Sequence, residues 1–230
     1  YKHCPPKIDP LDPANPLIFV CSPLVGSRLT TSSKFAVVTK SPLTGFIGDS
    51  LSSSFLATEI KKLGCDALII TGKSQFPTLL YLNNNDASFI DARQLTGLST
   101  TETEITVKKW ISNRAKVASI GPAGERLIRF ASIANDGGRQ AGRTGAGAVM
   151  GSKNLKAIAV TGSNPSPVFD SKALQITGNN LTLRSLRTAT EKYRTLGTLG
   201  NVSVFNRLGT LPTRNFQQST FNEAENISGE

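Results

Sequence analysis

The chain of 230 residues holds a single histidine, His3. A Ser-His-Asp or Cys-His site built within it is therefore not expected. Its three cysteines, Cys4, Cys21 and Cys65, lie far apart and form no C-x-x-C pair or cluster spacing. They read as idle or buried thiols in a reducing, cytoplasmic setting. No apolar run approaches the roughly 20 residues of a membrane-spanning helix, and the opening YKHCPPKIDP lacks the apolar core of a signal peptide. The only methionine is Met150, so a trimmed or partial chain is expected. Acidic side chains are also scarce, 16 against 26 basic ones, for a net charge of +10.

That imbalance is local. Residues 1–125 carry 13 basic and 10 acidic side chains, residues 126–214 carry 13 and 3, and the last sixteen carry only Glu223, Glu225 and Glu230. The excess coincides with NDGGRQAGRTGAGAVMGSKNLKAIAV (135–160), where six glycines (137, 138, 142, 145, 147, 151) fall within fifteen positions. Arg139, Arg143, Lys153 and Lys156 are set in or just after them. Glycine lets backbone N–H groups approach a ligand, and arginine offers a fork that fits phosphate. A phosphate cradle and tight backbone packing at a strand–helix junction explain such a stretch equally well. A dinucleotide fingerprint fails, because Met150 stands where the third glycine belongs. A Walker A loop fails because Gly151-Ser152-Lys153 reverses the required order.

Strands are expected at 17–21, 35–39, 66–71, 78–82, 87–91, 116–120, 127–133 and 155–160. Residues 5–16, with five prolines, read as an extended entry. Ser54 to Leu63 reads as a helix stopped by Gly64. Thr101-x-x-Glu104 reads as a capping box, with Val107, Trp110 and Ile111 on one face of the helix that follows. Asn135 to Arg143 is not strand-like. Asp170 is expected to cap a helix over 171–193, and a further helix over 198–208 should stop at Gly209. The chain therefore divides into a mixed, strand-rich domain over 1–167 and the start of a helical region over 168–230. Exposed apolar surface is expected in the latter.

Three lesser signals accompany these. Ser50 to Ser54, four serines in five residues, reads as a polar turn and N-cap or as a phosphate or pterin edge site. IGPAGE (120–125) is a tight strand-to-helix turn. The basic residues after 180 have only Tyr193 and Phe205 nearby for stacking, so nucleic-acid binding is the weakest reading.

In combination and in order, these strings resemble one family. VVTKSPLTGFI (37–47), VASIGPAGE (117–125) and AGRTGAGAVMGSKNLKAIAV (141–160) resemble the N-terminal domain of the aldehyde ferredoxin oxidoreductases. LPTRNF (211–216) and ISG (227–229) resemble the start of that family's second domain. The resemblance implies an α+β fold: two β-sheets with short helices form the base of a bis-pterin tungsten or molybdenum site, and a helical domain begins after it. It implies oxidation of an aldehyde to a carboxylic acid, with electrons leaving through a 4Fe–4S cluster to ferredoxin. The cluster cysteines belong to later domains, and the family's first strand precedes Tyr1, so the chain resembles a fragment. A homodimer of the full-length protein is compatible with this reading, and neither nucleic acid nor membrane is an expected partner.

Carried over by position, the resemblance names the site. Lys34 stands where the family has an arginine. Leu51 stands where an asparagine backbone carbonyl helps bind a magnesium between the pterin phosphates, and Ser53 and Ser54 stand for glycines. Arg139 is kept, Gln140 replaces an alanine whose carbonyl also serves magnesium, and Gly142 is kept. Lys34, Ser53, Arg139, Gln140 and Gly142 are thus the expected cofactor contacts, and Leu51 and Gln140 the expected metal carbonyl donors. No residue is expected as an acid–base catalyst, because the metal–pterin centre carries the chemistry. The departures at 34, 51, 53 and 54 also admit a non-catalytic paralog or truncated scaffold with a degenerate site.

Overall fold

The structure, a computed structural model, describes residues 4–27 and 29–230. His3 lies outside the described residues. The chain packs as two units, the first ending at Phe169 and the second running Asp170–Glu230.

The first unit contains, in order, β1 (Leu17–Cys21), β2 (Lys34–Lys40), β3 (Ile47–Ser53), α1 (Phe55–Lys62), β4 (Ala67–Ile70), β5 (Thr78–Asn83), β6 (Ala87–Asp91), α2 (Thr100–Trp110), β7 (Lys116–Ser119), α3 (Pro122–Glu125), β8 (Ile133–Asn135), β9 (Arg139–Ala141), α4 (Ala146–Ser152) and β10 (Leu155–Thr161). Two sheets result, one of order β3-β2-β1-β4 and one of order β6-β5-β10-β7-β8-β9. The α+β class with two sheets and short helices is the expected one.

Helices α1 and α4 each touch strands of both sheets and fill the space between them. The main core lies there, built on Phe19, Phe35, Leu56, Ile60, Met150 and Ile158, all at most 1% exposed. A smaller core of Leu79, Leu95, Val107, Val117, Ala157 and Ala159 forms on the other face of the six-stranded sheet. Alternation explains the division: Leu80, Ala118 and Ile158 face the main core, while Leu79, Val117 and Ala157 face the smaller one. Strand β10 is buried throughout up to Val160, as a central strand must be, and pairs parallel with β5 and antiparallel with β7.

Several sequence expectations need correction. The prolines of 5–16 sit in a series of turns rather than an extended entry. Asp9 and Asp12 accept the amides of Leu11 and Ala14 at 2.8 and 2.7 Å, the local bonding that aspartate offers a turn. Residues 127–132 are turns, with Leu127 at φ 58°, and only Ile133–Asn135 extends. The capping box is Ser99/Glu102, and Thr103 and Val107 form the buried stripe, while Trp110 is exposed. Asn135 to Arg143 is a hairpin whose strands are too short to show periodicity.

The second unit contains α5 (Ser171–Ser185), α6 (Glu191–Thr195), α7 (Val202–Arg207) and α8 (Ala224–Ile227). Asp170 caps α5 by accepting the Ala173 amide at 2.8 Å. The helix stops at Ser185 rather than near 193. The hydroxyls of Thr182 and Ser185 bond back to the carbonyls of Gly178 and Thr182, a competition that weakens a helix end. Helix α7 starts at Val202 because Gly197–Asn201 winds as a 3-10 turn, and Gly209, at φ 64°, follows its end. Large apolar side chains here stand open, among them Leu183, Leu186, Leu208 and Phe216, as expected.

Candidate functional site

The site is built where an edge of one sheet meets an edge of the other. Strand β3 is the edge of the four-stranded sheet and β9 the edge of the six-stranded sheet. Edge strands keep alternate N–H and C=O groups free for a partner. The β3 face that looks at the β8–β9 region is polar. Ser50 bonds the Thr144 hydroxyl at 3.0 Å and the Arg143 carbonyl at 3.4 Å. Ser52 donates to Asn135 Oδ1 at 3.1 Å. Ser50 and Ser52 thus lie on a strand, not in a turn, and stitch the two sheets together.

The start of α1 is also occupied. Asp136 Oδ2 accepts the Ser54 hydroxyl at 2.8 Å and the Phe55 amide at 2.5 Å, while Ser54 caps the Leu56 amide. A carboxylate of the chain itself thus sits where an anion would bind a helix N-terminus, which takes the Ser54 hydroxyl and the Phe55 amide out of play as phosphate donors and leaves Ser53. The same aspartate opens the turn Asp136-Gly137-Gly138, with φ of 42°, 70° and 113°. Glu104 holds that turn from the far side by accepting the Gly137 amide at 2.9 Å. Sequence reading gave Asp136 no role and placed Glu104 in a capping box, whereas the structure turns Glu104 to the Gly137 amide.

The hairpin delivers Arg139 to a cleft of about 620 Å³ that Lys34, Ser53, Ser54, Thr58, Leu29 and Ser33 also line. Lys34 and Ser53 are register partners across β2 and β3, so three of the six named residues come together. The other three lie outside that lining. Leu51 points outward on β3 at 64% exposure. Gln140 is exposed next to Arg139, its side chain tied locally to Ser132 at 2.6 Å and to the Gly138 carbonyl at 3.3 Å. Gly142 follows the end of β9 and is half-buried. A Cβ at Gly137, Gly138 or Gly142 would meet nothing within 4 Å, so this part of the backbone stands open. The Asn135 amide nitrogen, buried beneath it, has no partner among the described residues. Two cations without a side-chain partner among the described residues, a hydroxyl, open glycines and two strand edges fit an anionic, phosphate-bearing group.

The rest of the glycine stretch has the other use. A Cβ at Gly145, Gly147 or Gly151 would fall 1.9, 2.4 and 2.0 Å from the carbonyl oxygens of Arg129, Ser132 and Gly124. These glycines exist for backbone packing around α4, which is buried except at Gly151. Phosphate cradle and tight packing are therefore both present, in consecutive halves.

Two of the four cations are buried in the fold instead. Lys156, 2% exposed, sits at a β-bulge between Leu155 and Ala157 and donates to the carbonyls of Leu98 and Ile120 and to Glu125 at 2.5–2.9 Å. Lys153, 3% exposed, donates to the Pro13 carbonyl at 2.7 Å. Burial pushes its amine down to about 8, against a smaller opposing pull from Asp12. Between pH 8 and 10.5 the unfolded chain holds this proton and the folded one does not, so the group's contribution to stability rises with pH; below 8 the full desolvation penalty is present. In denaturant titrations, the stability of the parent relative to Lys153→Met should shift in the parent's favour by about 3 kcal/mol between pH 7 and 10.5. A pH-independent difference would refute this.

Among the described residues no three His, Cys, Asp or Glu side chains gather as a metal site, and no helix is long and apolar enough to cross a membrane. Cys4, Cys21 and Cys65 are free thiols. Burial pushes Cys21 up to about 11, while Cys4 and Cys65 are only half-buried.

Comparison with known proteins identifies the family. A family model described as aldehyde ferredoxin oxidoreductase, N-terminal domain, matches residues 1–162; one described as aldehyde ferredoxin oxidoreductase, domains 2 and 3, matches residues 177–230. The chain is 44% identical over 232 residues to the tungsten-containing aldehyde ferredoxin oxidoreductase of Thermococcus kodakarensis and 42% identical over 232 residues to that of Pyrococcus furiosus. Each alignment takes in 100% of this chain and 38% of the relative, so the chain spans about two fifths of the length of these curated relatives. A solved structure, the active site complex BamBC of benzoyl coenzyme A reductase in complex with 1,5-dienoyl-CoA, superposes with a TM-score of 0.71 at 32% identity, over 92% of this chain and 30% of that one. Matched along nearly its whole length by the family's own domains, the chain belongs to the aldehyde ferredoxin oxidoreductase family.

Proposed function

We propose that the first unit is the cofactor-cradling part of an oxidoreductase that oxidises aldehydes to carboxylic acids at a tungsten or molybdenum bis-pterin centre, with electrons passing through a 4Fe–4S cluster to ferredoxin. The cluster ligands and much of the substrate pocket belong to other parts of the longer protein. The observation that carries the reading is the convergence of Arg139, Lys34 and Ser53 on one cleft, beside open glycines, where two sheet edges meet.

When bound, the metal–pterin group supplies the two-electron chemistry. This chain's residues bind and orient it. Arg139 offers a planar fork to phosphate oxygens, whereas Lys34 offers a point charge on a flexible stem. Ser53 adds a hydroxyl. Gly142 leaves room for close approach, and the backbone carbonyls of Leu51 and Gln140 serve a magnesium ion between phosphates. None of the six moves a proton.

Arg139→Ala in the full-length protein, made in a host that supplies the cofactor, should lower tungsten or molybdenum and pterin per chain about tenfold, the cost of one charge-assisted contact. Arg139→Lys should recover part of it. Equal metal content in parent and Arg139→Ala would overturn the site. The substitutions at Lys34, Leu51 and Ser53 favour a second reading, a scaffold with a degenerate cradle. A parent protein that carries neither metal nor pterin under those conditions would establish it.

A further inference from the structure

The two buried lysines after the glycine stretch differ in one respect. Lys156 has three acceptors for its three N–H groups, one of them a carboxylate. Lys153 is almost as buried, yet among the described residues it has one acceptor, the Pro13 carbonyl. Two donors of a buried amine are left over. Such a deficit calls for a ligand, because a buried charge without partners is costly.

Lys153 lines a cleft of about 340 Å³, which suits a small molecule. Pro13 O also accepts the Gly72 amide at 2.8 Å, so Lys153 Nζ is anchored beside the Gly72 turn, where Lys73 projects from the exposed rim. The rest of the wall is mostly apolar, from Ile70, Leu80 and Leu155. The hydroxyls of Ser74 and Thr78 are bonded to each other at 2.6 Å and are not free donors for a second charge. We propose that this cleft binds a small organic monocarboxylate, its charged end between Lys153 and Lys73 and its hydrocarbon against Ile70, Leu80 and Leu155. The chemistry selects against phosphate: two cations partly offset by Asp12 would under-compensate a dianion, and the apolar wall would be wasted on it. This site shares no lining residue with the Arg139 cleft and stands whether or not the cofactor reading holds.

The test follows the Lys153 amine itself in the intact protein. Trace acetylation with acetic anhydride, quantified by peptide mapping across pH 6.5–10, reads the neutral fraction of that one lysine. Without ligand the rate should reach half its maximum near pH 8, set by burial with Asp12 and Lys73 as the charged neighbours. Saturating isovalerate should move the midpoint up by about one pH unit and slow acetylation at pH 8 about fivefold. Lys73→Met, a change at an exposed residue, should raise the isovalerate concentration needed for half-maximal protection about tenfold. Lys153→Met should abolish isovalerate binding at this cleft. Two outcomes would each overturn the site: a Lys153 rate unaffected by isovalerate, or equal protection by inorganic phosphate at the same concentration.

Discussion

Gly151→Ala is expected to abolish folding of the first unit, giving insoluble protein or a loss of more than about 4 kcal/mol. The added Cβ would lie 2.0 Å from the Gly124 carbonyl oxygen and 2.8 Å from its carbon, both backbone atoms of α3. The contact is reciprocal in kind: a Cβ at Gly124 would stand 3.0 Å from the Gly147 oxygen. No rotamer change relieves such a clash, so α3 and α4 would have to separate and open the core that Met150 and Val149 fill. Gly142→Ala, nine residues away in the same stretch, should leave the unfolding free energy within about 0.5 kcal/mol of the parent, because nothing lies within 4 Å of its Cβ. A Gly151→Ala protein with the parent's midpoint would show that the two helices are not held at this distance.

Lys156→Met should cost about 3–5 kcal/mol, the usual penalty for breaking a buried ion pair by removing one partner. Methionine nearly preserves the length and apolar stem but leaves the Ile120 and Leu98 carbonyls and Glu125 without their shared donor. Glu125 keeps the Gly97 amide at 2.9 Å, so it is not stranded completely. Glu125→Gln keeps an oxygen toward the ammonium and should therefore cost less than Lys156→Met. Urea titration of the two variants checks the order. The reverse order would mean that the counter-charge, rather than the three-way bonding of the ammonium, holds the bulge.

Much of the fold could be read from the sequence, where one physical signal ran long enough. Phe35–Thr39 and Leu155–Val160 announced strands by apolar runs, and Ser54 and Gly64 bounded α1 by cap chemistry. Strand β3 did not show itself, because its buried face is glycine and serine rather than apolar. Its pattern becomes intelligible only against the hydroxyl and amide partners on residues 135–144. Hairpin β8–β9 escaped for a related reason: with three residues per strand there is no period to read. At the site, the convergence of Lys34, Ser53 and Arg139 needed the pairing of β2 with β3 and the approach of the second sheet, both of them long-range facts. The burial of Lys153 and Lys156 was hidden as well, since a lysine beside glycines looks the same whether it faces a ligand or a ring of carbonyls.

The strand order β6-β5-β10-β7-β8-β9 has a consequence for synthesis. β10 is the last strand of the first unit to be made and the one that joins the β5–β6 hairpin to the β7–β8–β9 meander. While the chain grows from its N-terminus, these two pieces have no strand between them until residues 155–161 clear the ribosome. Until then both present unpaired edges and uncovered apolar faces, the condition in which nascent chains aggregate or call on chaperones.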